Sequence, residues 1–335
     1  MTAPGTPTAV RFAAFGDPAD VARTTALDAL PPLGPGDVEL ALVASPIDPA
    51  DLLLLRGQYA YRPPLPAIGG LEGVARVRRV GEAVLHVQRG DLVQMPLGVG
   101  AWQSHLVVDG APLHALPADA DPLQLAMLSV NPVTAHRMLH HTVAVDRGDW
   151  VVQNAANSGV GRCVIQLARA AGIRTINVVR RTEVIPELEA LGAEHVVMAD
   201  DDLPTRVAEI TGGDAVRLAL DAVGGPESRR LLLCLDAGGV LVSYGNMSGQ
   251  QATFWPSDLA FGRRSIHGFN VGDWLAAAGP EEVAGLYREL LGPVRTGDLV
   301  MPVDATYGLD DVTSALRHAD GHRRGGKVLL VGPGL

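Results

Sequence analysis

A chain of 335 residues with a formal net charge of −10 has room for two domains and lacks the basic face that a nucleic-acid partner demands. At 47% hydrophobic and 4% aromatic it can bury sizeable cores, yet no apolar run approaches the roughly 20 residues that cross a bilayer. The opening "MTAPGTPTAV" has neither the apolar core of a signal peptide nor the Arg-rich helix of a transit peptide, and reads as the start of a cytoplasmic protein.

Residues 1–124 are rich in Pro and Gly, with short apolar runs such as "DVELALVAS" and "EGVARVRRVG" between turn signals; the spacing predicts a compact β-rich domain. From residue 125 the rhythm changes. Strand-like runs ("WVVQNAA", "RTINVVR", "AEHVVMA", "VRLALDAVGG", "VLVSYGN") alternate with helical ones ("GRCVIQLARAAG", "EVIPELEALG", "RRLLLCLDAGG"). Such alternation predicts a doubly wound parallel sheet with helices on both faces. "SIHGFNV" closes the series near residue 270, and "EEVAGLYRELLGPV", a short strand, a helix and "KVLLVG" are expected to fold back onto the first domain. The expected architecture is therefore α/β, with a β-rich domain made of 1–124 and 269–335 around a cofactor domain of 125–268, and the active site in a cleft. Cys163 and Cys234 both fall in core-like segments and read as buried thiols.

In "GDWVVQNAANSGVGRCVIQLARAAG" a buried strand enters a turn, and a helix begins near Ser158. The dinucleotide fingerprint G-x-G-x-x-G is matched only as Ala156-x-Ser158-x-x-Gly161, with Gly159 added. Its physics survives. Gly159 and Gly161 let backbone approach a pyrophosphate, and the helix N-terminus offers unpaired N–H groups with a positive dipole end. Ser158 can cap the helix or donate to a phosphate oxygen. The plainer reading is a strand-to-helix turn that needs glycine for packing. The next strand ends in Arg180, Arg181 and Thr182, where NAD enzymes present an acid to the ribose. Two guanidiniums suit a 2′-phosphate, so NADPH is the expected cofactor.

These runs, with "LGAEHVV", "ALDAVGG", "YGNM", "RGQY", "GAW" and "VNPVTAHRML", resemble the NADPH-dependent trans-2-enoyl-thioester reductases, zinc-free members of the medium-chain dehydrogenase/reductase superfamily. The resemblance implies a GroES-like catalytic domain, a Rossmann cofactor domain and a homodimer with an enoyl-CoA or acyl-carrier-protein substrate. It puts Asn131, beside Pro132, at the nicotinamide; from the residues alone Asn131 reads equally as a helix cap. It puts Asn157, Ser158, Gly159 and Val160 at the phosphates, and Arg180, Arg181 and Thr182 at the 2′-phosphate. Tyr244, Gly245, Asn246 and Met247, with Phe269, Asn270 and Val271, fall at strand ends along the cofactor. Lys327, the one lysine among 27 basic residues, aligns with a cofactor-contacting lysine.

Tyr59 matches the family's catalytic tyrosine. Hydride addition at the β-carbon of an enoyl thioester builds enolate charge on the carbonyl oxygen. Tyr59 could bond that oxygen or protonate the α-carbon, since a phenol suits a donor rather than a base. The plainer reading makes it a loop anchor. No metal is expected: Leu71 stands between Gly70 and Glu72, where zinc-dependent relatives carry His, and no cysteine precedes residue 163. Asp48 and Asn270 depart from the family pattern and leave the acyl chain open. The rival reading is a zinc-independent NADPH quinone or small-enone reductase; a non-catalytic dinucleotide binder is a third.

Overall fold

The computed structural model describes residues 6–321 and 324–335. The chain divides into two compact units, Met1–Val130 with Ala278–Leu335, and Asn131–Ala277.

The first unit is built on two sheets. Thr8–Phe12 pairs antiparallel with Ala22–Ala26 and Ala67–Ile68. In the larger sheet the long strand Asp37–Pro46 is flanked by Val74–Val80, and pairs with His105–Asp109 and with the C-terminal strand Lys327–Val331. Lys327–Val331 runs parallel to Val303–Gly308, the only parallel pairing in the sheet among the described residues. Leu329 lies opposite Pro46, so the C-terminal strand begins beside the turn that follows the long strand. Phe12, Leu40, Leu42, Trp102 and Leu330 fill the core; each such side chain contributes about 1.5–3 kcal/mol by leaving water. The β-rich expectation omitted the helix Pro49–Leu55 and the single turns Pro18–Val21 and Pro122–Leu125. The leucine run of Pro49–Leu55 lacks a polar face to mark the helical period, and its Asp-Pro start is the only helix signal there.

The second unit carries six parallel strands in the spatial order His195–Met198, Arg174–Val179, Trp150–Gln153, Val216–Asp221, Val240–Ser243, Ser265–Gly268. Numbered along the chain this is 3-2-1-4-5-6, the doubly wound order, whose direction reverses between Trp150–Gln153 and Val216–Asp221. Trp150 to Gln153 are all buried, as strands covered on both faces must be. Gly159–Ala171 ends where Gly172 takes a left-handed φ of 72°, which lets the chain turn back into the second strand. Leu203–Thr211 and Val271–Ala277 are helices that the run-by-run reading did not list.

Candidate active site

The strand Trp150–Gln153 delivers the loop Asn154–Ser158, and the loop is held from several sides. Gln153, wholly buried, donates its Nε2 to Asn177 Oδ1 at 2.8 Å and to the Gly161 carbonyl at 3.0 Å. Asn177 in turn donates to Thr175 Oγ1 and the His195 carbonyl. The Gln and Asn of "QNAANSGVG" and "TINVVR" thus form one amide ladder across three strands. Ser158 caps the helix, its Oγ accepting from the Gly161 N–H at 3.1 Å. Ala155 sits at φ 46°, a left-handed conformation that an L-residue adopts at a cost of about 1–2 kcal/mol.

Both glycines permit close approach. A Cβ on Gly161 would stand 2.6 Å from the Ala156 carbonyl oxygen, and one on Gly159 would stand 2.9 Å from Asn131 Oδ1. Asn131, first residue of the helix Asn131–His141, is buried, and its Nδ2 has no partner among the described residues. A buried amide with idle donors, pressed on the first turn of the phosphate-loop helix, fits the carboxamide of a nicotinamide. Asn157 and Val160 flank the same turn half-buried. Arg180, Arg181 and Thr182 follow Arg174–Val179 directly and are exposed.

Tyr244 follows Val240–Ser243, its hydroxyl enclosed and facing Ser158 without closing a hydrogen bond. Burial pushes this phenol above its ordinary range, the Asp221 carboxylate adds to the shift, and the Ser158 hydroxyl opposes it. Gly245 packs on the Ala222 backbone, Asn246 Oδ1 fills the space above Gly224, and Met247 is exposed. Phe269, Asn270 and Val271 follow the last strand; Asn270 Oδ1 accepts from the Asp273 N–H and so caps the helix Val271–Ala277. Every predicted cofactor residue except Lys327 therefore lies in this unit.

Tyr59 and Lys327 belong to the other unit. Tyr59 lies half-buried in the bend after Pro49–Leu55. Lys327 donates its Nζ to Asp48 Oδ1, so the ammonium expected at the cofactor is engaged by an acid of its own unit. The Asp48 backbone N–H donates to Asp51 Oδ2 at 2.8 Å, and Glu72 Oε2 accepts from the Val130 N–H at 2.9 Å. Three buried carboxyls thus share one buried ammonium. Burial pushes Asp51 and Glu72 well above the usual carboxylate range, and the charge on Asp48 adds to both shifts. The Tyr287 hydroxyl, bonded to Ser129 at 3.0 Å, is pushed up to about 12 by burial. Glu72 and Tyr287 together hold the residues that lead into Asn131.

Sequence reasoning left Glu72 as a remnant and passed over Asp51, Arg162 and Asp221. Arg162 had a visible signal, a charged residue inside the apolar run "GVGRCVI" that opens its helix. A zinc does not fit: beyond Leu71, no three His, Cys, Asp or Glu side chains gather in ligand geometry among the described residues. Cys163 and Cys234 are buried free thiols, and burial pushes Cys234 up to about 12. None of the described helices is long and apolar enough to cross a membrane.

Comparison with known proteins bears on the family and the fold. Residues 34–118 match the alcohol dehydrogenase GroES-like domain family and residues 159–290 the zinc-binding dehydrogenase family. The chain is 38% identical over 314 residues to the mitochondrial enoyl-[acyl-carrier-protein] reductase of Homo sapiens, covering 92% of this chain and 84% of that one. The corresponding Arabidopsis thaliana protein is 36% identical over 299 residues, covering 87% and 79%. Among solved structures, a Bacillus thuringiensis chain assigned as an NADPH:quinone reductase superposes with TM-score 0.91 at 30% identity, covering 97% and 99%. The complex of Etr1p with NADP and crotonyl-CoA superposes with TM-score 0.87 at 27% identity, again covering 97% and 99%. One expectation is corrected by these names. The N-terminal residues read as cytoplasmic, whereas the curated relatives, from animals to plants, are mitochondrial proteins.

Proposed function

The chain belongs to the enoyl thioester reductases of the medium-chain dehydrogenase/reductase superfamily, NADPH-dependent oxidoreductases acting on C=C bonds, and from that premise we propose that it reduces a trans-2-enoyl thioester with Tyr59 as its proton donor. The observation that carries the reading is the idle, buried amide of Asn131 against Gly159, at the head of a helix whose N-terminus is open to a phosphate.

Asn131 would hold the carboxamide, Asn157 to Val160 the pyrophosphate, and Arg180 to Thr182 the 2′-phosphate. Bound NADPH supplies a hydride to the β-carbon. Tyr59 then acts twice. Its O–H donates to the thioester oxygen as enolate charge builds there, and the same proton is delivered to the α-carbon, water restoring the phenol afterwards. No Lewis acid is needed, because the conjugated carbonyl already accepts the electron pair. Tyr244 to Met247 and Phe269 to Val271 would line the cofactor, and Lys327, which the resemblance assigns to it, is paired with Asp48.

The similarity to the Bacillus thuringiensis chain favours a second reading, reduction of quinones or small enones. NADPH oxidation with crotonyl-CoA, a longer enoyl-CoA and a simple quinone in parallel separates the two. We expect enoyl-CoA turnover with NADPH well above NADH, and in D2O one deuterium at the α-carbon and none at the β-carbon. Turnover of quinone alone would reject the thioester reading, and cofactor binding without turnover on any acceptor would leave only a binder.

Self-association goes with this reading. Ser265–Gly268 ends the sheet with Ile266, His267 and Gly268 exposed, and Phe261 and Trp255 nearby in sequence are 89% and 67% exposed. An open parallel edge beside large apolar side chains suits a second copy of the chain. Light scattering should give a dimer, and a monomer at micromolar concentration would reject it.

A further inference from the structure

Arg162 is an arginine where the helix Gly159–Ala171 should carry a core residue. Only 7% of it is exposed, and its neighbours Gly161, Cys163, Val164 and Ile165 are all buried. A buried guanidinium persists only where its charge and its donors are met. Both are. Nε donates to the Asn157 carbonyl at 3.1 Å, and Nη2 pairs with Glu187 Oε2 at 2.5 Å. The two partners belong to separate stretches of the chain. Asn157 is in the pyrophosphate loop, and Glu187 is in the helix Ile185–Ala190, just past Arg180, Arg181 and Thr182. Those three residues are exposed, and the segment that carries them is tied to packed structure at both ends. One end is Val179 in the sheet. The other is the turn of Val184 and Leu188, packed with Ile165, together with Glu187. The planar fork of a guanidinium holds two such groups at a fixed angle from separate nitrogens, a geometry that the freely rotating ammonium of a lysine does not impose.

We propose that Arg162 and Glu187 form a strut that sets the distance between the pyrophosphate loop and the segment Arg180–Thr182, and thereby the preference for a 2′-phosphorylated nucleotide. Both are positioning residues, and the strut rests on the reading of Arg180–Thr182 as the 2′-phosphate site. The charges make the idea sharp. By electrostatics alone, removing the acid Glu187 near a phosphate site should tighten a phosphorylated ligand. The strut demands the reverse.

The test is calorimetric binding of adenosine 2′,5′-bisphosphate and of 5′-AMP to the full chain, with NADPH and NADH followed by nicotinamide fluorescence. Variants are Arg162→Gln, Glu187→Gln, their double, and Arg180→Ala with Arg181→Ala as the site control. Glu187 is 48% exposed on its side chain, so that variant should fold, and its melting temperature checks this. We expect Glu187→Gln to weaken the bisphosphate and NADPH about fivefold to tenfold, with 5′-AMP and NADH changed less than about twofold and the double variant no worse than Arg162→Gln. Unchanged or tighter bisphosphate binding in Glu187→Gln overturns the strut, as does an equal loss of both nucleotides in Arg162→Gln, which would mean direct contact with the pyrophosphate. A control variant that still binds the bisphosphate at full strength overturns the 2′-phosphate reading itself, and the strut with it.

Discussion

Each unit buries a carboxylate among polar groups, and the two are finished differently. In Asn131–Ala277, Asp221 ends the fourth strand with both oxygens in use. Oδ1 accepts from Asn154 Nδ2 at 2.6 Å and from the Val223 and Gly224 N–H groups at 3.0 Å, and Oδ2 accepts from Ser228 Oγ. Asn154 closes the circle by accepting from the Ala222 N–H. In the other unit, Asp48 Oδ2 and Glu72 Oε1 are buried without a partner among the described residues, and one ammonium faces three carboxyls. A satisfied network specifies one geometry, and here it fixes the crevice where the strand order reverses. An unsatisfied one holds protons instead, and so answers to pH.

The largest effect should come from breaking the satisfied network. Asp221→Ala strands Asn154, Ser228 and two backbone N–H groups, and should cost about 3–5 kcal/mol in urea unfolding together with NADPH binding. A loss under about 1 kcal/mol would mean that the two sites are not different in kind. Next is Lys327→Met, which leaves Asp48 facing two acids. We expect about 2–4 kcal/mol at pH 7 and less at pH 5, where the carboxyls take up protons more readily.

Glu72→Gln sharpens the comparison with a smaller change. Burial, with Asp48 adding, raises Glu72 above its ordinary 4.5, so the folded state holds this proton where the unfolded chain has lost it. The stability it supports is complete below 4.5 and fades as pH climbs through the raised value. Glu72→Gln cannot ionise, and its carbonyl can still accept from Val130. Its unfolding free energy should therefore be flatter above pH 5 than that of the parent chain, with Asp51 carrying the residual slope. Parallel curves would show that Glu72 is charged in the fold. Smallest of all, Ala155→Gly should relieve the left-handed φ and gain under about 1 kcal/mol in melting experiments.

The comparison also marks what the sequence could say. The parallel sheet was legible because its strands are apolar runs bounded by turns, and Ser158, Gly159 and Gly161 were legible because a helix start has its own residue code. The distinctive letters of the motifs proved to be structural in the first instance: Gln153 with Asn177, and Asn154 with Asp221, are hydrogen-bonded pairs that hold the loop. The clusters were not legible. Lys327 meets Asp48 across 279 positions, and Arg162 meets Glu187 across 25. Neither spacing has a local period to betray it, so Lys327 could be assigned to the cofactor with no sign of its acid partner. Tyr59 could be picked out only by resemblance, since a bend with one half-buried tyrosine has no signature of its own.

Tyr59→Phe, assayed with NADPH and crotonyl-CoA beside a direct NADPH titration, is the measurement that bears most directly on the proton donor. Loss of the phenol should lower kcat by about 100-fold or more while the NADPH Kd and the melting temperature hold. A variant that turns over crotonyl-CoA at the parent rate would contradict Tyr59 as donor and leave it an anchor of its loop.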